Sequence, residues 1–68
     1  MKRAVIRFIG KNGENYGYLS KKGTIILSKR QALRSNIEYM SGVAYGLTFA
    51  IIYYGDESIE KAEIEEVA

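Results

Sequence analysis

The 68-residue chain is long enough for one domain, 1–68, and a domain of that size buries only about 60% of its unfolded surface. It contains no Cys, His or Pro, which excludes disulfide staples, thiolate or imidazole metal ligands, thiol nucleophiles and the commonest general base. The net charge of +2 hides a segregation: residues 1–34 carry nine of the ten Lys and Arg with one acid, whereas 35–68 carry seven acids with one base.

Two readings of that segregation stay open. The favoured one is internal, a basic strand beside an acidic strand whose opposite cross-strand charges help by about 0.2–1 kcal/mol a pair. The other is a basic face that meets phosphate or an acidic protein. Hydrophobic residues make up 47% of the chain, which fits a folded domain rather than a disordered one. The opening MKRAVIRFIG places Arg7 inside its apolar run, and no signal-peptide core follows, so the expected location is cytoplasmic.

In chain order, Arg3–Ile9 reads as a strand with Ala4, Ile6 and Phe8 on one face and Arg3, Val5, Arg7 and Ile9 on the other. Gly10-Lys11-Asn12-Gly13 carries the Asn-Gly hairpin signal. Asn15–Ser20 is the return strand, with Tyr16 and Tyr18 on one face; Lys21-Lys22-Gly23 is a turn and Thr24–Ser28 a third short strand. Ser28 and Gln31 have capping-box spacing, Leu33, Ile37 and Met40 recur at helical spacing, and Gly42 suits a C′ position, so a helix of about three turns is expected over 29–41.

Val43–Tyr54 is the most apolar stretch and alternates large and small residues. Its β-branched and aromatic content favours a central strand, with Ala44, Gly46, Thr48 and Ala50 forming a flat face. Gly55-Asp56-Glu57-Ser58 is a turn, and Ile59–Val67 is a Glu-rich closing strand paired back on Val43–Tyr54. The expectation is therefore a small α+β domain, β-β-β-α-β-β, with an antiparallel sheet on one short helix. The alternative is β-β-β-α-β with one long helix, 36–54. In that parse Ser35 and Glu38 form the capping box, and Ile37, Met40, Ala44, Leu47, Ile51 and Tyr54 form the stripe. A membrane span is a third parse, since Tyr39–Gly55 is uncharged and Gly42 and Gly46 are spaced GxxxG. Its four Tyr, one Ser, one Thr and three Gly weigh against it.

No catalytic constellation is visible. Five Ser lack a base partner, the single Asp, Asp56, lies in a turn, and Glu60, Glu63, Glu65 and Glu66 lack calcium-loop spacing. The expectation is no enzyme, no cofactor and no metal. Gly10–Gly13 is a GxxG, as in KH domains, but here it lies between strands and reads as a hairpin turn. Tyr16-Gly17-Tyr18-Leu19 resembles the stacking strand of cold-shock domains, which implies ring stacking by Tyr16 and Tyr18 with phosphate held by Arg7, Lys11, Lys21 and Lys22. Packing of the two rings in the core or at its rim is the competing reading. The flat face is a candidate surface for a partner or a second copy, with Tyr39, Tyr53 and Tyr54 as anchors.

The run RAVIRFIGKNGENYGYLSKKGT, Arg3–Thr24, and the closing AEIEEV, Ala62–Val67, resemble small accessory proteins of phages and prophages, similar in style to anti-CRISPR and other anti-defence proteins. That resemblance implies action by occupying a host protein's surface. Three functions are thus carried forward: a non-enzymatic binding protein with a host-protein partner, a nucleic-acid-binding sheet, and a structural homodimer. The partner-binding candidates are Arg7, Tyr16, Tyr18, Lys21, Lys22, Tyr39, Tyr53 and Tyr54.

Overall fold

The computed structural model describes residues 2–55 and 58–67 and, of Tyr54, the backbone only. The α+β expectation holds. Strands β1 (Arg3–Gly10), β2 (Asn15–Leu19) and β3 (Ile25–Ile26) form a meander, followed by a 3-10 turn at Lys29–Gln31 and a two-residue strand β4 (Ser35–Asn36). Helix α1 (Ile37–Tyr54) and strand β5 (Ile59–Val67) complete the chain. The expected turn at Asp56 and Glu57 lies outside the described residues.

The centre of the sheet is β1, not Val43–Tyr54. One edge of β1 pairs antiparallel with β2 at Arg7–Ile9 and with β4 at Arg3 and Ala4. Its other edge pairs along nearly its whole length with β5, from Arg3↔Val67 to Gly10↔Ile59. The closing strand therefore pairs with the opening one, and the two charge lobes meet: Arg7 lies opposite Glu63. Both faces of β1 are covered. Ala4, Ile6 and Phe8 face Met40, Ala44 and Ala62, while Val5 on the opposite face meets Tyr18 and Ala32. The alternation read from the sequence is what places these side chains on two faces.

Two helical expectations are corrected. Residues 29–36 are not α-helical: they hold only the 3-10 turn and β4, Ser28 makes no side-chain cap, and Ile37–Ser41 of the expected helix form the start of α1 instead. Sheet contacts take this segment instead. Ala32 bridges Ser20 and is 2% exposed, and the Leu33 N–H donates to Leu19 O at 2.9 Å. Lys29 and Arg30 also oppose the dipole of a helix starting there, with no acid in its first turn to offset them.

Val43–Tyr54 is helical, as in the long-helix alternative. Asn36 rather than Ser35 caps it: Asn36 Oδ1 accepts the N–H of Glu38 at 2.8 Å and of Tyr39 at 3.4 Å. Gly42, expected as a C′ residue, lies inside α1, and Gly55 closes the helix with its N–H on Ile51 O. Ile37, Met40, Val43, Ala44, Leu47 and Ile51 cover the sheet, and that burial outweighs the β preference of the segment. The flat strand face therefore does not exist. Ala44 and Thr48 point inward, whereas Gly46 and Ala50 point to solvent.

Thr48 ties α1 to β5. Its Oγ1 accepts the Ala62 N–H at 3.1 Å and lies 3.0 Å from Ala62 O and 2.9 Å from Ala44 O. The hydroxyl carries one proton and donates to one of those two carbonyls at a time. Thr48→Val keeps the shape but leaves the Ala62 N–H, pointed away from β1, without a partner. We expect a loss of about 1–3 kcal/mol, read from the urea midpoint.

Candidate interaction surface

The inward stripe of α1 leaves an outward face that none of the described residues covers. Tyr39, Tyr45, Ile52 and Tyr53 are 63–72% exposed and Phe49 is 44% exposed. Tyr45 and Phe49 form an edge-to-face pair with centroids 4.9 Å apart, and Phe49 and Tyr53 lie nearly parallel at 6.4 Å. The spacing i, i+4, i+8 sets the three rings in one ridge. Gly42, Gly46 and Ala50 lie alongside it, and a Cβ built at either glycine meets no atom. From Tyr39 onward the helix carries no charge.

The scale of this face is informative. A Tyr or Phe ring offers about 150–250 Å², so the exposed parts of Tyr39, Tyr45, Phe49 and Tyr53 present roughly 500 Å². One side of a standard protein–protein interface buries about 800 Å². The whole chain exposes 4767 Å², against about 4300 Å² expected for a folded monomer of 7.7 kDa. Among the described residues, five of the eight exposed large hydrophobics, Tyr39, Tyr45, Phe49, Ile52 and Tyr53, lie on α1.

The predicted site residues separate into three groups. Tyr39 and Tyr53 share the outward face of α1. Tyr54 is named among the anchors, but its side chain lies outside the described residues. Tyr45 and Phe49 were not expected as anchors, because in a strand they would have faced the helix. Their i, i+4 spacing with Tyr53 was the signal present in the sequence.

Arg7 and Tyr18 are engaged inside the fold. The Arg7 guanidinium donates from Nη2 to Glu63 at 2.9 Å and lies 3.5 Å from Glu65, while its Nε is buried with no partner among the described residues. Tyr18 is 8% exposed and packs with Val5 and Ala32. Tyr16 is 38% exposed, with its ring against Gly10. The two tyrosines do not form the shared stacking face expected of Tyr16-Gly17-Tyr18. The register of β2 shifts between Phe8 and Ile9, which pair with Gly17 and Asn15, so Tyr16 is the extra residue and leaves the face of Tyr18. Lys21 and Lys22 are exposed at the β2–β3 turn.

The internal reading of the charge segregation describes much of the acidic strand. Glu63 meets Arg7 and Lys61, Glu65 meets Arg7 and Lys29, and Glu66 meets Lys2. The hydrogen bond from Arg7 holds the Glu63 carboxyl below the usual carboxylate range. A carboxylate with a lowered folded pKa contributes stability above its unfolded value and loses it as pH falls through the folded value. Glu63→Gln should therefore be slightly less stable than the parent at neutral pH and lose less stability below about pH 4. The pair is partly exposed, so the neutral-pH difference stays within about 1 kcal/mol. Urea midpoints measured across that pH range check it.

Among the described residues no group of three or more His, Cys, Asp or Glu is placed to hold a metal, and no helix is long and apolar enough to cross a membrane. No family model, curated protein or solved structure matches the chain.

Proposed function

We propose that this chain is a non-enzymatic binding protein that acts by laying the outer face of α1 into an apolar groove of another protein. The observation that carries this reading is the exposed ridge Tyr45–Phe49–Tyr53, flanked by Tyr39 on an uncharged helix. Tyr is among the residue types that dominate binding energy at interfaces, and anchors at i, i+4 and i+8 are how a helix presents itself to a groove. The resemblance of Arg3–Thr24 to phage accessory proteins points to a host protein as the partner.

One observation favours a second reading, a homodimer. The small residues Gly42, Gly46 and Ala50 lie beside the ring ridge, so a copy related by a two-fold axis could place its ridge in that groove without opposing like charges.

Sedimentation of the purified chain and capture by immobilised chain separate the readings. A monomer that retains a specific partner, with at least about 30-fold weaker binding for Phe49→Ser, supports the host-partner reading. A concentration-dependent dimer that Phe49→Ser dissociates replaces it with the homodimer. A monomer whose partner binding is indifferent to Tyr45→Ser and Phe49→Ser contradicts both. Both residues are solvent-exposed, so circular dichroism should show each variant folded.

A further inference from the structure

The acidic strand does not reach every cation. Lys2, Arg7, Lys29 and Lys61 have carboxylate partners; Lys11, at the β1–β2 turn, meets none among the described residues, and neither do Arg3, Lys21, Lys22, Arg30 and Arg34. These five lie together although they are far apart in sequence. Lys21 and Lys22 occupy the β2–β3 turn, whose backbone is held by Ser20: its Oγ accepts the N–H of Lys22 at 3.2 Å and of Thr24 at 3.0 Å. The Ser20–Ala32 bridge brings Arg30 beside that turn. Arg3 Nη2 donates to Arg34 O, which joins the start of β1 to the same place.

The five cations line two adjoining clefts of about 530 and 150 Å³ that share Lys21, Arg30 and Gln31. Among the described residues no carboxylate lines either cleft. The described lining also holds no aromatic ring, and Ile26 is the one large apolar side chain among its described residues. Such a trough attracts a polyanion but offers neither stacking for bases nor the apolar anchors a protein partner needs. Three of its cations are arginines, whose guanidinium fork matches phosphate oxygens with paired N–H groups.

We infer that this trough binds the phosphodiester backbone of nucleic acid without regard to sequence. The site is separate from the outer face of α1 and does not depend on the function proposed for it. It also differs from the strand face of Tyr16, Tyr18 and Arg7, two members of which are engaged internally.

The test is fluorescence anisotropy with a labelled duplex and its single strands over a series of salt concentrations. Each phosphate contact contributes about −0.9 to the log–log salt slope for duplex and about −0.7 for a single strand. Five contacts give a duplex slope of roughly −4.5, so binding weakens by about 500-fold between 50 and 200 mM salt. Lys21→Gln with Arg30→Gln should make that slope shallower by about 1.8, equally for two unrelated sequences. Both side chains are exposed, and neither makes a hydrogen bond or ion pair among the described residues, so the variant folds. Lys11→Gln, at the other hairpin, should leave the slope unchanged. Three results would overturn the inference: no binding at low salt, a slope that ignores the Lys21 and Arg30 changes, or polyglutamate displacing the duplex as well as unlabelled duplex does. The last would assign the trough to an acidic polypeptide.

Discussion

Ile6→Ala is expected to cost about 2–5 kcal/mol, the range for truncating a fully buried aliphatic side chain in a core that cannot collapse around the gap. Ile6 is 0% exposed, lies at the middle of the central strand opposite Ile64, and faces Met40 of α1. A domain of 68 residues has a total stability of roughly 3–10 kcal/mol. The substitution therefore removes a large fraction of it, and the urea midpoint should fall by about that fraction with little change in slope. Ile52→Ala is the matched control. Ile52 is 67% exposed on the outer face of α1, and its truncation should stay within about 0.5 kcal/mol. Equal losses at the two positions would mean that α1 is turned the other way on the sheet.

Gly17→Ala is the second large effect, and its cause is backbone geometry rather than packing volume. Gly17 has φ +128°, and a Cβ there would lie 2.6 Å from the carbonyl oxygen of Ile26 on the neighbouring strand. An L-residue rarely adopts that dihedral, and the clash falls on backbone, which cannot swing aside. The expected cost is about 2–3 kcal/mol, or a fall in Tm on the order of 10–20 °C. A variant that melts with the parent would show that the β2 bulge is absent in solution. The glycine between two tyrosines is thus explained by the strand pairing of β2 with β3, without appeal to a ligand.

The parts of the fold legible in the sequence are those fixed by a single local rule. Alternation placed Ala4, Ile6 and Phe8 against Val5 and Arg7, and Asn12-Gly13 marked the first hairpin, where Gly13 has φ +83°. The opposed charge lobes anticipated a basic strand beside an acidic one, though the acidic partner of β1 was expected elsewhere. Val43–Tyr54 was ambiguous because its large residues at every second position also supply a helical stripe. Ile51 and Leu47 satisfy both patterns. The deciding facts are the local Asn36 cap and, at the tertiary level, the burial of Met40 and Ala44 in one cluster with Ile6, Phe8 and Ala62. The strand reading hides part of the candidate surface, since it leaves Tyr45 and Phe49 out of the anchors and names only Tyr39 and Tyr53 of the ring face. Tyr16 and Tyr18 were separated by a register shift that no local pattern announces. The basic trough was equally hidden, because it depends on which cations β5 neutralises and which it leaves.

The exposed ring face of α1 is the contact surface proposed for this protein. Hydroxyl-radical footprinting of Tyr39, Tyr45, Phe49 and Tyr53, in the free chain and in its isolated complex, tests it residue by residue. The account predicts that all four are modified readily in the free monomer and are protected together in the complex, while buried Tyr18 is unreactive in both. Rings that stay equally reactive when the complex forms, with protection appearing on β2 or β5 instead, would contradict it.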